Sequence, residues 1–307
     1  MTVNTSGVTS NLSRREFSAL SAAAFLPPAA AAQTDAAEPL ISGTIPGTGE
    51  NLPAVGLGTA SVFNNDDEQT RRAAAQVLKT LVGGGGRLID TASSYGGAES
   101  VLGSVIATEA LRDKVFLATK LEAPDAAELQ RSLERLRMEK VDLLQLHNVT
   151  DPRQSLAQFK AWKAQGLCRY IGITSTYHGE FAALATVLGR EKPDFVQVDY
   201  SLDNRKAQER ILPLAAEVGA AVLTALPFGR GRLFRAVRGK QLPDWAQDFA
   251  ASWAQFFLKY LLGDERVTAV IPGTSDAAHM ADNLGAMRGY LPGAQERQRM
   301  VSFVSNL

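Results

Sequence analysis

The sequence is short of the residues that build several common kinds of functional site. Its 307 residues include one cysteine and three histidines. A single cysteine, Cys168, cannot form an intrachain disulfide and excludes a cysteine-rich metal centre. A three-histidine metal cluster would need every histidine in the chain, and nothing in their sequence contexts suggests one. We therefore predict no metal site.

A surplus of charge of one sign is also missing. The chain has 32 basic and 32 acidic side chains and no formal net charge at pH 7. A nucleic-acid-binding protein needs an excess of lysine and arginine to displace counterions from phosphates, so we expect no nucleic acid partner. The hydrophobic content of 45% provides for a large core and excludes collagen-like and fully disordered chains.

The N-terminal segment has the composition of an export signal. The stretch Ser13-Arg14-Arg15-Glu16-Phe17 precedes an Ala-rich, almost uncharged run over residues 18–32. A basic region, a short apolar region and small residues at a cleavage point are typical of such signals, and the paired arginines resemble a twin-arginine signal. An Ala-rich amphipathic helix is the alternative, but Pro27-Pro28 would break it. The run is too short to span a bilayer, so we expect no stable membrane anchor.

These features divide the chain into three predicted segments. Residues 1–32 are predicted to be a twin-arginine signal peptide, recognised by the twin-arginine export machinery. The protein is then expected to be periplasmic or otherwise exported. Residues 33–50 are polar and rich in Gly, Pro and Ala, and are predicted to be a linker or N-terminal flap. Residues 51–307 are predicted to be one folded domain.

From about residue 52, short apolar runs alternate with longer amphipathic stretches. The apolar runs are near-continuous and several are β-branched, as expected for strands buried on both faces. They lie at residues 54–57, 88–89, 115–118, 141–146, 170–173, 195–198, 221–224 and 267–271. The clearest helices are predicted over residues 67–82, 126–137, 152–165 and 253–262. Eight such βα units match the size of an α/β fold of the (β/α)8 TIM-barrel type.

A doubly wound sheet is the alternative α/β architecture. It would need a glycine-rich turn that follows the first strand and opens a helix, where helix N–H groups bind phosphate. Gly83-Gly84-Gly85-Gly86 instead precedes a predicted strand. It therefore predicts a helix end and a turn, and the barrel is favoured.

Four reactive residues follow neighbouring strands of the predicted barrel. Asp90 and Tyr95 follow the second strand, Lys120 ends the third and His147 follows the fourth. Barrel enzymes use the carboxyl ends of their strands, so these side chains are expected to converge. Each residue alone is compatible with a turn, loop or strand end. Together they suit proton transfer to a carbonyl oxygen as hydride reaches its carbon, with Lys120 expected to lower the pKa of Tyr95.

The sequence around these residues resembles the aldo/keto reductase superfamily. The resemblance lies in residues 89–96 (IDTASSYG), 117–120 (LATK), 142–147 (DLLQLH), 172–175 (GITS), 195–201 (FVQVDYS), 227–231 (PFGRG), 271–275 (IPGTS) and 282–284 (DNL). These motifs occur in order and cover nearly the whole predicted domain.

The resemblance implies a (β/α)8 barrel that uses NADPH, less often NADH, to reduce a small-molecule aldehyde or ketone. Tyr95 is then the proton donor, Lys120 and Asp90 its tuning pair, and His147 the residue that orients the substrate. The implied cofactor-binding residues are Gly58, Thr59, Thr174, Ser175, Gln197, Pro227, Gly229, Arg230, Gly273, Thr274, Ser275, His279 and Asn283. Thr174, Ser175 and Gln197 would hold the nicotinamide carboxamide. Thr274, Ser275, His279 and Asn283 lie in the segment that would hold the adenosine and its phosphates.

Several positions depart from the family pattern. Thr174-Ser175 stand where Ser-Asn is usual, and Ala225-Leu226 stand where Tyr-Ser is frequent. Gly273 and His279 replace basic residues, and Asp276 would repel a ribose 2′-phosphate. The choice between NADP and NAD therefore stays open at this point.

Two other functions compete with carbonyl reduction. A cofactor-binding regulatory or redox-sensing module with little turnover would keep the binding residues but not need the catalytic ones. A lyase that forms a Schiff base through Lys120 also suits a barrel, but it leaves the cofactor motifs unexplained.

Overall fold

The structure, a computed structural model, describes residues 39–306. These residues belong to one compact unit, Glu38–Leu307. The predicted signal peptide and residues 33–38 lie outside the described residues.

The described chain begins with a β-hairpin. Strand β1 (Ser42–Ile45) pairs antiparallel with β2 (Glu50–Pro53). The buried side chains Ile45 and Leu52 join the apolar cluster inside the barrel, so the hairpin covers its amino end. Part of the segment predicted to be a linker or flap thus forms a strand, and the predicted boundary at residue 50 falls inside the hairpin.

Eight parallel strands follow within residues 39–306 and pair in sequence order. Their bounds are β3 (Leu57–Gly58), β4 (Leu88–Asp90), β5 (Phe116–Leu121), β6 (Val141–Leu146), β7 (Cys168–Ser175), β8 (Phe195–Asp199), β9 (Ala221–Ala225) and β10 (Ala269–Val270). Parallel bridges from Val55 to Val270 and from Gly58 to Gly273 join the first strand to the last. The predicted (β/α)8 barrel is confirmed. Strands β3 and β10, the first and last of the barrel, have only two residues each. The two isolated bridges complete the pairing between them.

Helices separate and surround the strands. Their bounds are α1 (Glu68–Gly83), α2 (Ala98–Thr108), α3 (Ala126–Leu136), α4 (Ala157–Ala164), α5 (Phe181–Glu191), α6 (Ala207–Val218), α7 (Arg232–Ala236), α8 (Trp253–Leu262), α9 (Ala277–Leu284) and α10 (Ala294–Ser305). Asp67, Asp125 and Ser252 accept hydrogen bonds from first-turn N–H groups, which explains where α1, α3 and α8 begin.

The fourth helix is shorter than predicted. The sequence suggested a start at residue 152, whereas α4 begins at Ala157. The side chain of Gln154 accepts hydrogen bonds from Thr150 N and Asp151 N, and Ser155 Oγ accepts one from Ala157 N. These side chains bond to the backbone in a turn conformation and so compete with the helix.

The core has two apolar layers. One lies between the strands and the surrounding helices, and the other fills the barrel. Inside the barrel, the rings of Phe116, Tyr170 and Phe195 contact one another with centroids 5.5 to 6.0 Å apart. These aromatics fill the amino-terminal part of the barrel, so any ligand must bind near the carboxyl ends of the strands.

Residues 39–306 contain neither a membrane-spanning helix nor a cluster of metal ligands. No described helix has the length and apolar character needed to cross a membrane. No three or more His, Cys, Asp or Glu side chains in the described part of the chain are grouped to hold a metal ion.

The contact between α2 and α3 requires a glycine. A Cβ added at Gly103 would lie 2.3 Å from Arg135 O and 2.6 Å from Leu136 C. We expect Gly103→Ala to lower the free energy of unfolding by about 1–3 kcal/mol, because backbone atoms must move apart. Urea denaturation measures this change.

Gly83→Ala is the matched control. Gly83 also lies in a helix, but a Cβ added there would have no atom within 4 Å. The control should be neutral or stabilising by up to about 1 kcal/mol, because alanine favours the helix. Equal stability of Gly103→Ala and the wild type would contradict the close contact.

Candidate active site

A cavity of about 760 Å³ lies at the carboxyl ends of the barrel strands. Its volume is in the range typical of small-molecule sites, roughly 300 to 1,000 Å³. The four residues predicted to be catalytic, Asp90, Tyr95, Lys120 and His147, all line it. The convergence expected from their strand positions is therefore present.

A buried ion pair between Lys120 and Asp90 lies at the base of this cavity. Lys120 Nζ donates to Asp90 Oδ2 at 2.5 Å and to Thr91 O at 2.8 Å. The two charged side chains are only 2% and 3% exposed. Burial alone would lower the pKa of Lys120, but the charge of Asp90 outweighs burial and raises this pKa above its usual value. The lysine therefore stays positively charged.

Two amides hold Asp90 from other strands. Gln145 Nε2 donates to Asp90 Oδ1 and Gln197 Nε2 donates to Asp90 Oδ2, both at 3.2 Å. Asp90 thus accepts hydrogen bonds from β5, β6 and β8. A buried carboxylate requires such compensation for the hydration it has lost.

Tyr95 lies directly above this ion pair. Lys120 Nζ is 4.8 Å from the centroid of the Tyr95 ring. Burial raises the pKa of Tyr95, and the positive charge of Lys120 offsets this only in part. Lys120 does act to lower the pKa of Tyr95, as expected from the sequence, but desolvation outweighs the cation and the net shift is upward. The phenol keeps its proton, and Lys120 is placed to stabilise the phenolate that remains after donation.

His147 lies beside Tyr95 in the cavity wall. The two rings meet edge to face with centroids 5.7 Å apart. His147 Nδ1 is 2.5 Å from Glu122 Oε1. Burial lowers the pKa of His147, and the charge of Lys120 lowers it further, while Glu122 opposes both. The imidazole is therefore mostly neutral at neutral pH.

The sequence model of the aldo/keto reductase family matches residues 54–296 of the chain. The protein belongs to the aldo/keto reductase family. Methylglyoxal reductase YeaE of Escherichia coli is 28% identical over 220 residues, which cover 68% of this chain and 76% of that protein. Methylglyoxal reductase DkgB of Yersinia pestis is 28% identical over 216 residues, which cover 66% of this chain and 77% of that protein.

A solved structure supports the fold independently. The aldo-keto reductase of Klebsiella pneumoniae, crystallised with NADPH, superimposes with a TM-score of 0.74 at 24% sequence identity. The match covers 87% of this chain and 96% of that chain. At this level of identity the likeness supports the barrel alone.

The site of this aldo/keto reductase has polar atoms that fit a nicotinamide carboxamide. Gln197 Oε1 is buried and has no hydrogen-bond partner among the described residues. Such an oxygen is costly to bury, and a carboxamide N–H would satisfy it. Thr174 Oγ1 accepts a hydrogen bond from Asn148 N, which leaves its hydroxyl proton for a carboxamide oxygen. Ser175 does not line the cavity, since its hydroxyl bonds locally with Tyr177.

The predicted cofactor-binding residues divide into two sets. Those that line the cavity are Gly58, Thr174, Gln197, Pro227, Arg230 and Gly273. Those that do not are Thr59, Ser175, Gly229, Thr274, Ser275, His279 and Asn283. Two of the outer residues have evident structural contacts, since Thr59 Oγ1 donates to Asp90 O and Thr274 Oγ1 accepts from Asp276 N.

The two glycines at the barrel seam have a structural reason. A Cβ at Gly58 would lie 2.8 Å from Ile271 O, and one at Gly273 would lie 3.2 Å from Gly58 O. Both residues therefore allow the first and last strands to meet, whether or not they also contact a cofactor.

Asp276 has a negative charge at the start of α9. Its side chain caps this helix by accepting from Ala278 N and His279 N, and these bonds lower the pKa of Asp276. The carboxylate occupies N–H groups that would otherwise be available to a phosphate. The repulsion of a ribose 2′-phosphate by this carboxylate stays a prediction.

Several residues that line the cavity were not predicted to be site residues, although Ser94, Phe228 and Gly231 lie within the quoted motifs. The cavity is also lined by Ala60, Ser61, Val62, Asn64, Ser94, Asn148, Thr176, Tyr177, Leu226, Phe228 and Gly231. Most lie in the loops after the strands, where no periodic pattern marks a cavity-facing side chain. Glu122 was missed too, although its position two residues after Lys120 places both side chains on the same side of an extended chain.

The buried ion pair predicts a large effect of Asp90→Asn. This change leaves the Lys120 ammonium buried without its counter-charge, so we expect unfolding to cost about 3–5 kcal/mol less than in the wild type. The double variant Asp90→Asn/Lys120→Met should recover most of this loss, because it removes the buried charge. Chemical denaturation of both variants measures the difference.

A surface pair provides the control. Arg72 and Glu68 form an ion pair between largely exposed side chains. Glu68→Gln should change stability by less than about 1 kcal/mol. If Asp90→Asn were as stable as Glu68→Gln, the buried pair would not have the assigned energetic role.

Proposed function

We propose that the protein is an NADPH-dependent reductase of aldehydes or ketones, with Tyr95 as the proton donor. The observation that carries this proposal is the placement of Tyr95, Lys120, Asp90 and His147 around one cavity at the barrel mouth. Family membership supports the same activity. Gln197 Oε1 and the Thr174 hydroxyl would supply the acceptor and donor that a nicotinamide carboxamide requires. Family membership and the NADPH-bound relative favour NADPH. The negative charge of Asp276 would repel a ribose 2′-phosphate, so NADH is the alternative cofactor.

The chain's own residues supply the proton and its control. Gln197 and Thr174 would hold a reduced nicotinamide, which would supply the hydride for the carbonyl carbon. Tyr95 donates its Oη proton to the carbonyl oxygen. Lys120 stabilises the resulting phenolate through its nearby positive charge, and Asp90 keeps Lys120 charged and in place. Aromatic side chains fill the amino-terminal part of the barrel, so water has little access to the cavity from that end.

We propose small aldehydes and 2-oxoaldehydes as the first substrates to test. Two of the relatives are named methylglyoxal reductases. The cavity wall includes the hydroxyls of Ser61 and Ser94 and the amide of Asn64. These groups can bind a second oxygen next to the reacting carbonyl.

Tyr95→Phe tests the proton donor. The variant should bind NADPH with near-normal affinity, because it loses only a hydroxyl. Its kcat for methylglyoxal should fall by roughly 100-fold or more, the usual contribution of a general acid. Cofactor fluorescence titration measures binding, and NADPH absorbance measures turnover.

Two comparisons make this test decisive. Tyr290→Phe removes the hydroxyl of an exposed tyrosine outside the cavity and should leave kcat unchanged. Near-normal turnover by Tyr95→Phe would exclude the assigned acid. Tight NADPH binding by the wild type without oxidation of NADPH by any carbonyl would instead favour a regulatory or redox-sensing module.

We also propose that residues 1–32 direct export through the twin-arginine machinery to the periplasm. The support is the Ser13-Arg14-Arg15-Glu16-Phe17 motif and the uncharged stretch after it. This pathway exports folded proteins, so the cofactor would be bound before export.

Replacing Arg14 and Arg15 with lysine tests the export signal. The change keeps the charge of the segment but removes the arginine pair. We expect the wild type in the periplasmic fraction as a shortened chain and the variant in the cytoplasm at full length. Fractionation with mass determination distinguishes these results. Unchanged export of the variant would argue against a twin-arginine signal.

A further inference from the structure

Glu122 is an acidic residue in direct contact with the proposed substrate-orienting histidine. It follows β5, and its Oε1 atom is 2.5 Å from His147 Nδ1. Its backbone N–H donates to Glu128 Oε1 at 3.1 Å, and the same oxygen accepts from Ser93 Oγ at 2.5 Å. The segment with Glu122 is therefore tied both to α3 and to the loop after β4, and its half-exposed carboxylate contacts the imidazole.

The protonation state of Glu122 decides which nitrogen of His147 has a proton. Burial raises the pKa of Glu122, but hydrogen bonds from Ser94 and His147 outweigh burial, so that the pKa lies below its usual value. The group is ionised at neutral pH, and an ionised carboxylate only accepts hydrogen bonds. His147 Nδ1 must then be the donor. The opposite tautomer would place the Nδ1 lone pair against a carboxylate oxygen.

A neutral imidazole has only one ring proton. With that proton on Nδ1, the Nε2 atom of His147 has a lone pair and no hydrogen. A carbonyl oxygen also has only lone pairs, so the neutral ring has no hydrogen bond to offer it. The imidazolium, in contrast, donates from both nitrogens. An alcohol can donate to the lone pair of the neutral ring.

We propose that Glu122 is a positioning residue that fixes the tautomer of His147, so that Nε2 donates to a substrate carbonyl only when the ring is protonated. This inference rests on the carbonyl reductase function proposed above. Tyr95 still supplies the proton that the product alcohol retains. The role of His147 is a hydrogen bond that orients and polarises the carbonyl, and Glu122 makes that bond depend on pH.

The charged groups around His147 set the pH range. Glu122 and Asp90 favour the imidazolium, whereas Lys120 and burial disfavour it. Tyr95 contacts the ring by its edge and keeps its proton across this range. Since the pKa of His147 lies below its ordinary value, the ring loses its second proton at a lower pH than an ordinary histidine does. Reduction should therefore be fastest at acidic pH and decline towards neutral pH.

The test compares pH profiles of kcat/KM for methylglyoxal in three proteins. The wild type should lose up to about tenfold for each pH unit above the pKa of His147, until only the activity without this hydrogen bond remains. In Glu122→Gln the amide can donate to Nδ1, which makes the neutral Nε2–H tautomer available. Its profile should be flat where the wild type declines. Glu134→Gln, which removes an exposed carboxylate on α3 that bonds to Gln130 and not to the Glu122 segment, should keep the wild-type slope.

A spectroscopic readout tests the tautomer without turnover. Nitrogen-15 NMR of the histidine rings distinguishes Nδ1–H from Nε2–H, and the His147 signals are identified by their loss in His147→Asn. We expect Nδ1–H in the neutral ring of the wild type and a substantial Nε2–H fraction in Glu122→Gln.

The outcomes separate the two proposals. A neutral Nε2–H ring in the wild type, or a declining profile of the same slope in Glu122→Gln, would overturn the role of Glu122. No turnover at any pH by a wild type whose ring is Nδ1–H would overturn the reductase function, and with it the pH-dependent donation, but not the tautomer assignment.

Discussion

The buried ammonium of Lys120 is the constraint on which the site depends. A charge removed from water is tolerated only where a counter-charge and hydrogen bonds replace its hydration. Asp90 and the Thr91 carbonyl meet this need, and Gln145 and Gln197 in turn hold Asp90. Strands β4, β5, β6 and β8 are thereby joined inside the barrel, and Tyr95 has a fixed cation below its ring.

The barrel divides its interior between stability and function. Aromatic and aliphatic side chains fill the amino-terminal part, and the β1–β2 hairpin covers it. At the carboxyl ends the lining changes to hydroxyls, amides and charges around a cavity. The buried oxygen Gln197 Oε1 has no partner within the described residues. A ligand in the cavity can satisfy this oxygen by donating a hydrogen bond to it.

Burial sets the protonation states of the site. It raises the pKa of Tyr95 and lowers that of His147, while Asp90 keeps Lys120 charged. The phenol, the neutral imidazole and the ammonium are therefore the forms present at neutral pH. The cation beside the phenol helps most after the proton has left, when it faces a phenolate. The charge of Lys120 alone would predict a lowered pKa for Tyr95, but desolvation reverses the direction.

The sequence by itself determined the barrel and the four residues at its mouth. Near-continuous apolar runs, such as residues 141–146, mark strands buried on both faces, and the periodicity of residues 126–137 marks a helix. Once the strands are placed, Asp90, Lys120 and His147 must gather at one end, because parallel strands share it. The tertiary structure alone decided the contact of Glu122 with His147, the hairpin over the barrel floor and the sign of the pKa shift of Tyr95. These depend on the distances between loops and on the loss of water around each group, and no local pattern in a sequence encodes either quantity.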